Sequence, residues 1–245
     1  MNPPSRFLRV FVLLISLAAL SGCGIIDYYL VEAPEDTPQE LFEAGQQAMH
    51  DKEYGNAAEH FVKLKDRYPF SPYTTQAELM LGDAYFLKGE WAAAAGAYKE
   101  FESLHPRHEQ IPYVLFQIGL SNFNQFSSID RPQNNVAEAM EYFHSLREQY
   151  PDSPYAPAAA DYIVKSRRHM ADHELFVANF YWVNEQFGPA WHRYQFVVKN
   201  FQDLPEVAEY ATRMSEMSYY EYQKTKAEQS RQESYGSWRQ YFDWL

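Results

Sequence analysis

From Pro38 onward, small, aromatic and aliphatic residues return at intervals that suit one face of a helix, rather than alternating as a half-buried strand would. Breaks in this pattern fall at proline or glycine, which cannot continue a helix or which favour its end. The pattern predicts helices near 38–50, 54–67, 72–87, 91–104, 109–125 and 135–149. A long or broken helix follows over 155–187, then helices near 189–200 and 205–229, with room for a short one over 234–244. Glycine is sparse, at 10 residues, while Tyr, Phe and Trp number 20, 17 and 5. That balance suits helices with bulky contacts between them better than a turn-rich β-fold. The expected fold class is all-α.

The text of the chain also repeats. Similar strings restart at Tyr68 (YPFSPYTTQA), His105 (HPRHEQIPY), Tyr150 (YPDSPYAPAA) and Phe201 (FQDLPEVAEYA). The clearest unit, 75–108, sets Gly82, Tyr85, Gly89, Trp91, Ala94, Tyr98 and Pro106 at tetratricopeptide spacing. Gly82 and Ala94 are small where two helices of a pair would cross, and Tyr85 and Tyr98 fill the space beside the crossing. Residues 38–71 follow the pattern with Leu41, Gly45, Tyr54, Ala57, Phe61 and Pro69. A third unit keeps Gly119, Ala139, Phe143 and Pro151 across a polar insertion around Ser127–Asn135; a fourth keeps Gly188, Tyr194 and Pro205. Its extra length amounts to one additional helix or a long extension of one. The expectation is a superhelical solenoid of about five helix pairs, with N-terminal repeats over 38–151 and C-terminal repeats with a capping tail over 152–245. The first helix of each pair lines the concave face, which suits an extended peptide or a partner's helix or loop.

Ahead of the repeats, Arg6 and Arg9 precede an apolar run from Val10 to Leu20. The run is shorter than the ~20 residues a bilayer span needs, and fits a secretory signal. It ends in Leu20-Ser21-Gly22-Cys23, and Cys23 is the only cysteine. This string resembles a bacterial lipobox, which implies removal of 1–22 and lipidation of Cys23, with 23–37 as a flexible tether. Gly24 in place of an aspartate then points to the outer membrane. The alternative is an ordinary signal peptide with an incidental cysteine. With its thiol acylated, the chain has no disulfide and must hold by packing. The net charge is −12, and losing Arg6 and Arg9 makes the mature chain more acidic still. Nucleic-acid binding depends on Lys and Arg releasing counterions, so this surface argues against it. It gives no polybasic help at an anionic membrane either, which leaves anchoring to lipid.

The repeat edges carry a more specific likeness. Arg67-Tyr68-Pro69-Phe70-Ser71-Pro72-Tyr73, His105-Pro106 with Ile111-Pro112-Tyr113 and Gly119-Leu120, Asp130-Arg131, and Tyr150-Pro151-Asp152-Ser153-Pro154-Tyr155 resemble the BamD, or ComL-type, lipoprotein family. The order agrees over roughly 38–200, while the aromatic end, YGSWRQYFDWL, departs from it. The resemblance implies a scaffold of the outer-membrane β-barrel assembly machinery, held by lipid on the periplasmic face of the outer membrane of a Gram-negative bacterium. Implied partners are the periplasmic domains of the barrel-forming insertase subunit, bound through the C-terminal half, other assembly lipoproteins, and C-terminal targeting segments of unfolded outer-membrane proteins at the N-terminal repeats. A different periplasmic tetratricopeptide lipoprotein, organising peptidoglycan or cell-division enzymes, stays open as the alternative.

Within that frame, Glu43, Gln46, Gln47, His50, Gln76, Leu79, Asp83 and Phe86 are the peptide-groove candidates, against the plainer reading of a solvated helix face. Lys165, Arg167 and Arg168, with His169, form a basic cluster in an acidic chain and are the candidates for partner contact; helix-face pairing with nearby acids is the competing reading. The RYPFSPY turn reads first as a joint between helices, packed by Tyr68, Phe70 and Tyr73, and second as a partner contact. His169 and His173 stand at i, i+4, but no third ligand is placed by sequence, so no metal is expected. Tyr235, Trp238, Tyr241, Phe242 and Leu245 would form an apolar stripe if helical, either capping the solenoid or docking on another subunit. The sequence carries no G-x-S-x-G, H-E-x-x-H, P-loop or dinucleotide fingerprint. No enzymatic activity and no cofactor are expected.

Overall fold

The computed structural model describes residues 36–235. Nine α-helices follow one another there: α1 (Pro38–His50), α2 (Tyr54–Arg67), α3 (Thr74–Lys88), α4 (Trp91–Leu104), α5 (Ile111–Asn124), α6 (Asn134–Gln149), α7 (Ala156–Val183), α8 (Phe187–Asn200) and α9 (Pro205–Tyr235). Each packs mainly against its neighbours in sequence, with only a minor contact between α7 and α9. That is the quasi-one-dimensional logic of a repeat solenoid. The signal segment, Cys23 and most of the tether lie outside the described residues, as does the aromatic end beyond Tyr235 and with it the short helix expected over 234–244.

One rule builds the second helix of every pair. A small residue is followed four positions later by a ring and three later by another apolar side chain: Ala57-Phe61-Leu64, Ala94-Tyr98-Phe101, Ala139-Phe143-Leu146 and Ala190-Tyr194-Val197. All twelve are at most 1% exposed. Opposite each ring the first helix presents a residue with little or no side chain: Gly45 to Phe61, Gly82 to Tyr98 and Gly119 to Phe143. A Cβ on these glycines would lie only 2.4, 2.5 and 2.4 Å from the ring. The glycines therefore let the helix axes close until ring meets backbone. In the last unit the small residue is Ala178, buried on α7 in the same cluster as Tyr194.

Turn chemistry separates the helices. Gly89 ends α3 in the left-handed conformation at φ 83. At the equivalent turns that conformation falls to Lys52 (φ 62) and Glu185 (φ 59), so glycine is not used there. Gly188 is not the left-handed residue of its turn; it lies inside the first turn of α8, close to the ring of Tyr222 on α9. The two Tyr-Pro joints share one design. The Ser71 and Ser153 amides donate to the carbonyls of Tyr68 and Tyr150 at 3.0 Å, and each serine oxygen accepts from the amide two residues on at 3.3 Å. Tyr68 and Tyr73 pack on the first core cluster, but Phe70 is fully exposed and takes no part in the joint.

The expected long segment is one unbroken helix of 28 residues, α7. Its N-terminal half packs behind α6, and its C-terminal half serves as the first helix of the last pair. The core is continuous through these contacts but falls into three clusters, centred on Phe61, on Tyr98 with Phe143, and on Tyr194.

Candidate functional site

On α3, Gln76, Leu79, Asp83 and Phe86 stand at −6, −3, +1 and +4 from Gly82, which places them on one helix face. Gln76 is exposed, whereas Leu79, Asp83 and Phe86 are partly buried. Phe86 meets Trp91 edge-on at 4.9 Å, which fixes the end of α3 against α4. The same offsets from Gly119 on α5 give Tyr113, Phe116, Leu120 and Phe123, all partly buried against the same cluster as Leu79 and Phe86. None of these four was among the groove candidates, although Tyr113 and Leu120 lie in the family-like strings and the repeat register names all four directly. Together, α3 and α5 present an aromatic and aliphatic strip on the first-helix side of the solenoid. Phe116 stacks on Tyr155 and Phe123 lies edge-on to Tyr162, which carries the strip onto α7.

Asp83 sits at the middle of this strip. The hydroxyls of Tyr98, from the paired helix, and Tyr113, from α5, both donate to its Oδ1 at 2.6 Å. Tyr113 in turn accepts from the Gln117 side chain at 2.8 Å. Burial pushes the Asp83 carboxyl above its ordinary 3.8, and the two phenolic donors offset part of that rise. Burial and the neighbouring carboxylate both push the Tyr98 and Tyr113 phenols up, so they remain protonated donors. Tyr113 also borders a cleft of about 480 Å³ between the 109–112 and 149–155 segments, which carries the carboxylates of Glu109 and Asp152. The last unit repeats the motif with an amide: Tyr194 and Tyr210 donate to Asn179 Oδ1 at 2.5 and 2.9 Å.

The α1 candidates are arranged differently. Glu43, Gln46, Gln47 and His50 are all exposed. Glu43 accepts from Gln39 at 2.8 Å. Gln47 and His50 both turn to Asp51 at the end of α1, at 2.8 and 3.1 Å, and the bond from Gln47 holds that carboxyl below its ordinary range. Gln46 reaches the strip by register, one residue past Gly45, while Gln47 and His50 form a polar group at the helix end.

In the basic cluster, Arg167 forks onto Asp203. Its Nε donates to Oδ2 at 2.6 Å, and Nη2 donates to Oδ1 and, at 2.7 Å, to the Asn200 carbonyl. The guanidinium also lies over the Phe201 ring, so Arg167 pins the α8–α9 turn to α7. Arg168 pairs with Asp172 at 3.0 Å and reaches Glu206 at 3.9 Å. Lys165 lies over Tyr162 at 4.4 Å. His169 packs on Phe126, and His173 Nδ1 is 2.6 Å from the Ile129 carbonyl, a contact that holds the 125–133 insertion to α7. Among the described residues no group of three His, Cys, Asp or Glu side chains is placed to hold a metal, and no helix is long and apolar enough to cross a membrane.

These features define a class: a tetratricopeptide-like helical scaffold whose first helices carry a strip of rings and apolar chains. The chain belongs to the family described as YfiO, outer membrane lipoprotein, whose model matches residues 34–234. It is 29% identical over 200 residues to the outer membrane protein assembly factor BamD of Vibrio cholerae serotype O1, covering 78% of this chain and 82% of that one. It is 27% identical over 216 residues to BamD of Neisseria meningitidis serogroup A, covering 82% and 81%. A tetratricopeptide repeat protein from Parabacteroides merdae superposes with a TM-score of 0.40 at 13% identity, over 80% of this chain and 78% of that one.

Proposed function

We propose that the chain is a non-enzymatic scaffold of the outer-membrane β-barrel assembly machinery, fixed to the periplasmic face of the outer membrane by lipid on Cys23. Membership of an outer-membrane lipoprotein family over 34–234, with relatives named as assembly factors, carries this reading. The N-terminal repeats receive extended segments of unfolded outer-membrane proteins along the strip containing Leu79, Asp83 and Phe86, with Gln46 and Gln76 at its edge. Alternate side chains of an extended segment suit spaced aromatic and aliphatic pockets. Ordering a disordered cargo costs free energy, so affinity is modest and release is easy. The C-terminal repeats bind the insertase subunit and other assembly lipoproteins. Within the basic cluster Lys165 and Arg168 are exposed for partner contact, and Arg167 acts by holding the α8–α9 turn to α7.

Depletion of the chain in its host, followed by quantitative proteomics of the envelope and co-purification after mild detergent extraction, tests the proposal. The expected result is a joint fall of many outer-membrane barrels and recovery of a large β-barrel insertase. Recovery of wall hydrolases alone, with barrels unchanged and septation disturbed, would instead support a scaffold of peptidoglycan or cell-division enzymes.

A further inference from the structure

The two hydroxyl-bridging motifs differ in one atom type, and the difference carries a consequence. Asn179 shows that a neutral amide oxygen suffices to accept from two tyrosines and so link a helix pair to the next helix. Asp83 does the same work at Oδ1 while keeping a charge that burial disfavours. Its Oδ2 accepts no hydrogen bond and is not among the fully buried unpaired atoms, so it meets solvent on the strip. Among the described residues no Lys or Arg lies within ion-pair distance of Asp83. The result is a carboxylate with one oxygen locked in place by two phenols and the other free. It is bordered by Leu79 and Phe86 on its own helix and by Tyr113, which leads to a cleft carrying two further carboxylates.

We infer that Asp83 is a specificity-determining residue of the groove: its free oxygen accepts from a lysine or arginine side chain of the bound extended segment, so the N-terminal repeats favour segments that carry a cation between apolar residues. This rests on the groove reading proposed above. The locked geometry lowers the ordering cost of the contact, and a charge-assisted hydrogen bond in partly apolar surroundings is stronger than one in open water. The C-terminal motif, with Asn179, lacks the charge and makes no such choice.

The test uses the full chain purified in detergent and two labelled peptides of roughly ten residues with alternating apolar positions, which differ only in carrying lysine or acetyl-lysine at one central polar position. Fluorescence anisotropy at low salt gives their affinities for the wild type and for Asp83→Asn, which retains an acceptor for both tyrosines and is checked for unchanged melting. The wild type is expected to prefer the lysine peptide about tenfold, and Asp83→Asn to bind both alike. Equal binding of the two peptides by the wild type, or a preference that survives in Asp83→Asn, overturns the role of Asp83 while leaving the groove in place. Failure of both peptides to bind the wild type overturns the groove reading and this inference together.

Discussion

The crossing of α3 and α4 makes a prediction whose sign is not obvious from helix propensity. Gly82 lies inside a helix, where Gly→Ala ordinarily gains about 1 kcal/mol. Here the new Cβ would lie 2.5, 2.6 and 2.9 Å from Cε1, Cδ1 and Cζ of Tyr98, distances at which atoms must move. Tyr98 is wholly buried and tethered through its hydroxyl to Asp83, so its ring cannot swing aside without losing that bond. Overpacking costs about 1–3 kcal/mol, and disturbing a hydrogen bond to a charged group adds up to about 1–2 kcal/mol. The net loss is about 2 kcal/mol, or roughly 4–8 °C in Tm for a domain of this size. Gly96, exposed on α4 with no atom within 4 Å of a new Cβ, is the control. There the same substitution is expected to raise Tm by roughly 2–4 °C. Thermal melts of Gly82→Ala and Gly96→Ala read the difference, and amide exchange along α3 and α4 shows whether the loss is local to the crossing. A Gly82→Ala protein that melts at or above Gly96→Ala would refute the close-approach argument.

Other outcomes follow from the same geometry. Phe143→Ala, which empties the buried ring site opposite Gly119, should cost about 3–5 kcal/mol in denaturant unfolding. Glu185→Gly should stabilise the α7–α8 turn by up to about 1 kcal/mol, because it relieves a left-handed non-glycine residue; an unchanged or lower midpoint would contradict this. Arg167 holds the Asp203 carboxyl below its ordinary 3.8, so the pair stabilises the fold above that pH and loses its contribution as pH falls through the depressed value. Asp203→Asn should therefore flatten the acid side of the stability–pH curve: its deficit against the wild type shows near neutrality and vanishes at the acid end, and it is small because Asp203 is half exposed.

The parts of the fold that could be read in advance are those where one residue type does one job. Gly82 with Tyr98, and Gly119 with Phe143 across the polar insertion, announced helix crossings because only a residue without a side chain admits a ring so close. The length of α7 was left open between one helix and two. The structure settles it as one, and the reason is visible afterwards: no glycine or proline interrupts the chain between Pro157 and Gly188. Gly188 was misleading because the turn before it uses Glu185. The α3 strip was legible from repeat register, yet the same register on α5 was not followed through to Tyr113, Phe116, Leu120 and Phe123. The engagement of Arg167 with Asp203 was hidden because the two are far apart in sequence and meet only once α8 folds back on α7. The bridging of Tyr98 and Tyr113 by Asp83 was hidden for the same reason.

The central claim is that the strip on the first helices of the N-terminal repeats receives unfolded outer-membrane proteins. Photo-crosslinking in living cells from a reactive residue placed at Leu79, with a matched residue at exposed Ser103 on α4 as control, tests it most directly. The account predicts adducts with newly made barrel proteins from position 79 and few from 103. Adducts of equal yield from both positions, or adducts from 79 confined to wall enzymes, would contradict it.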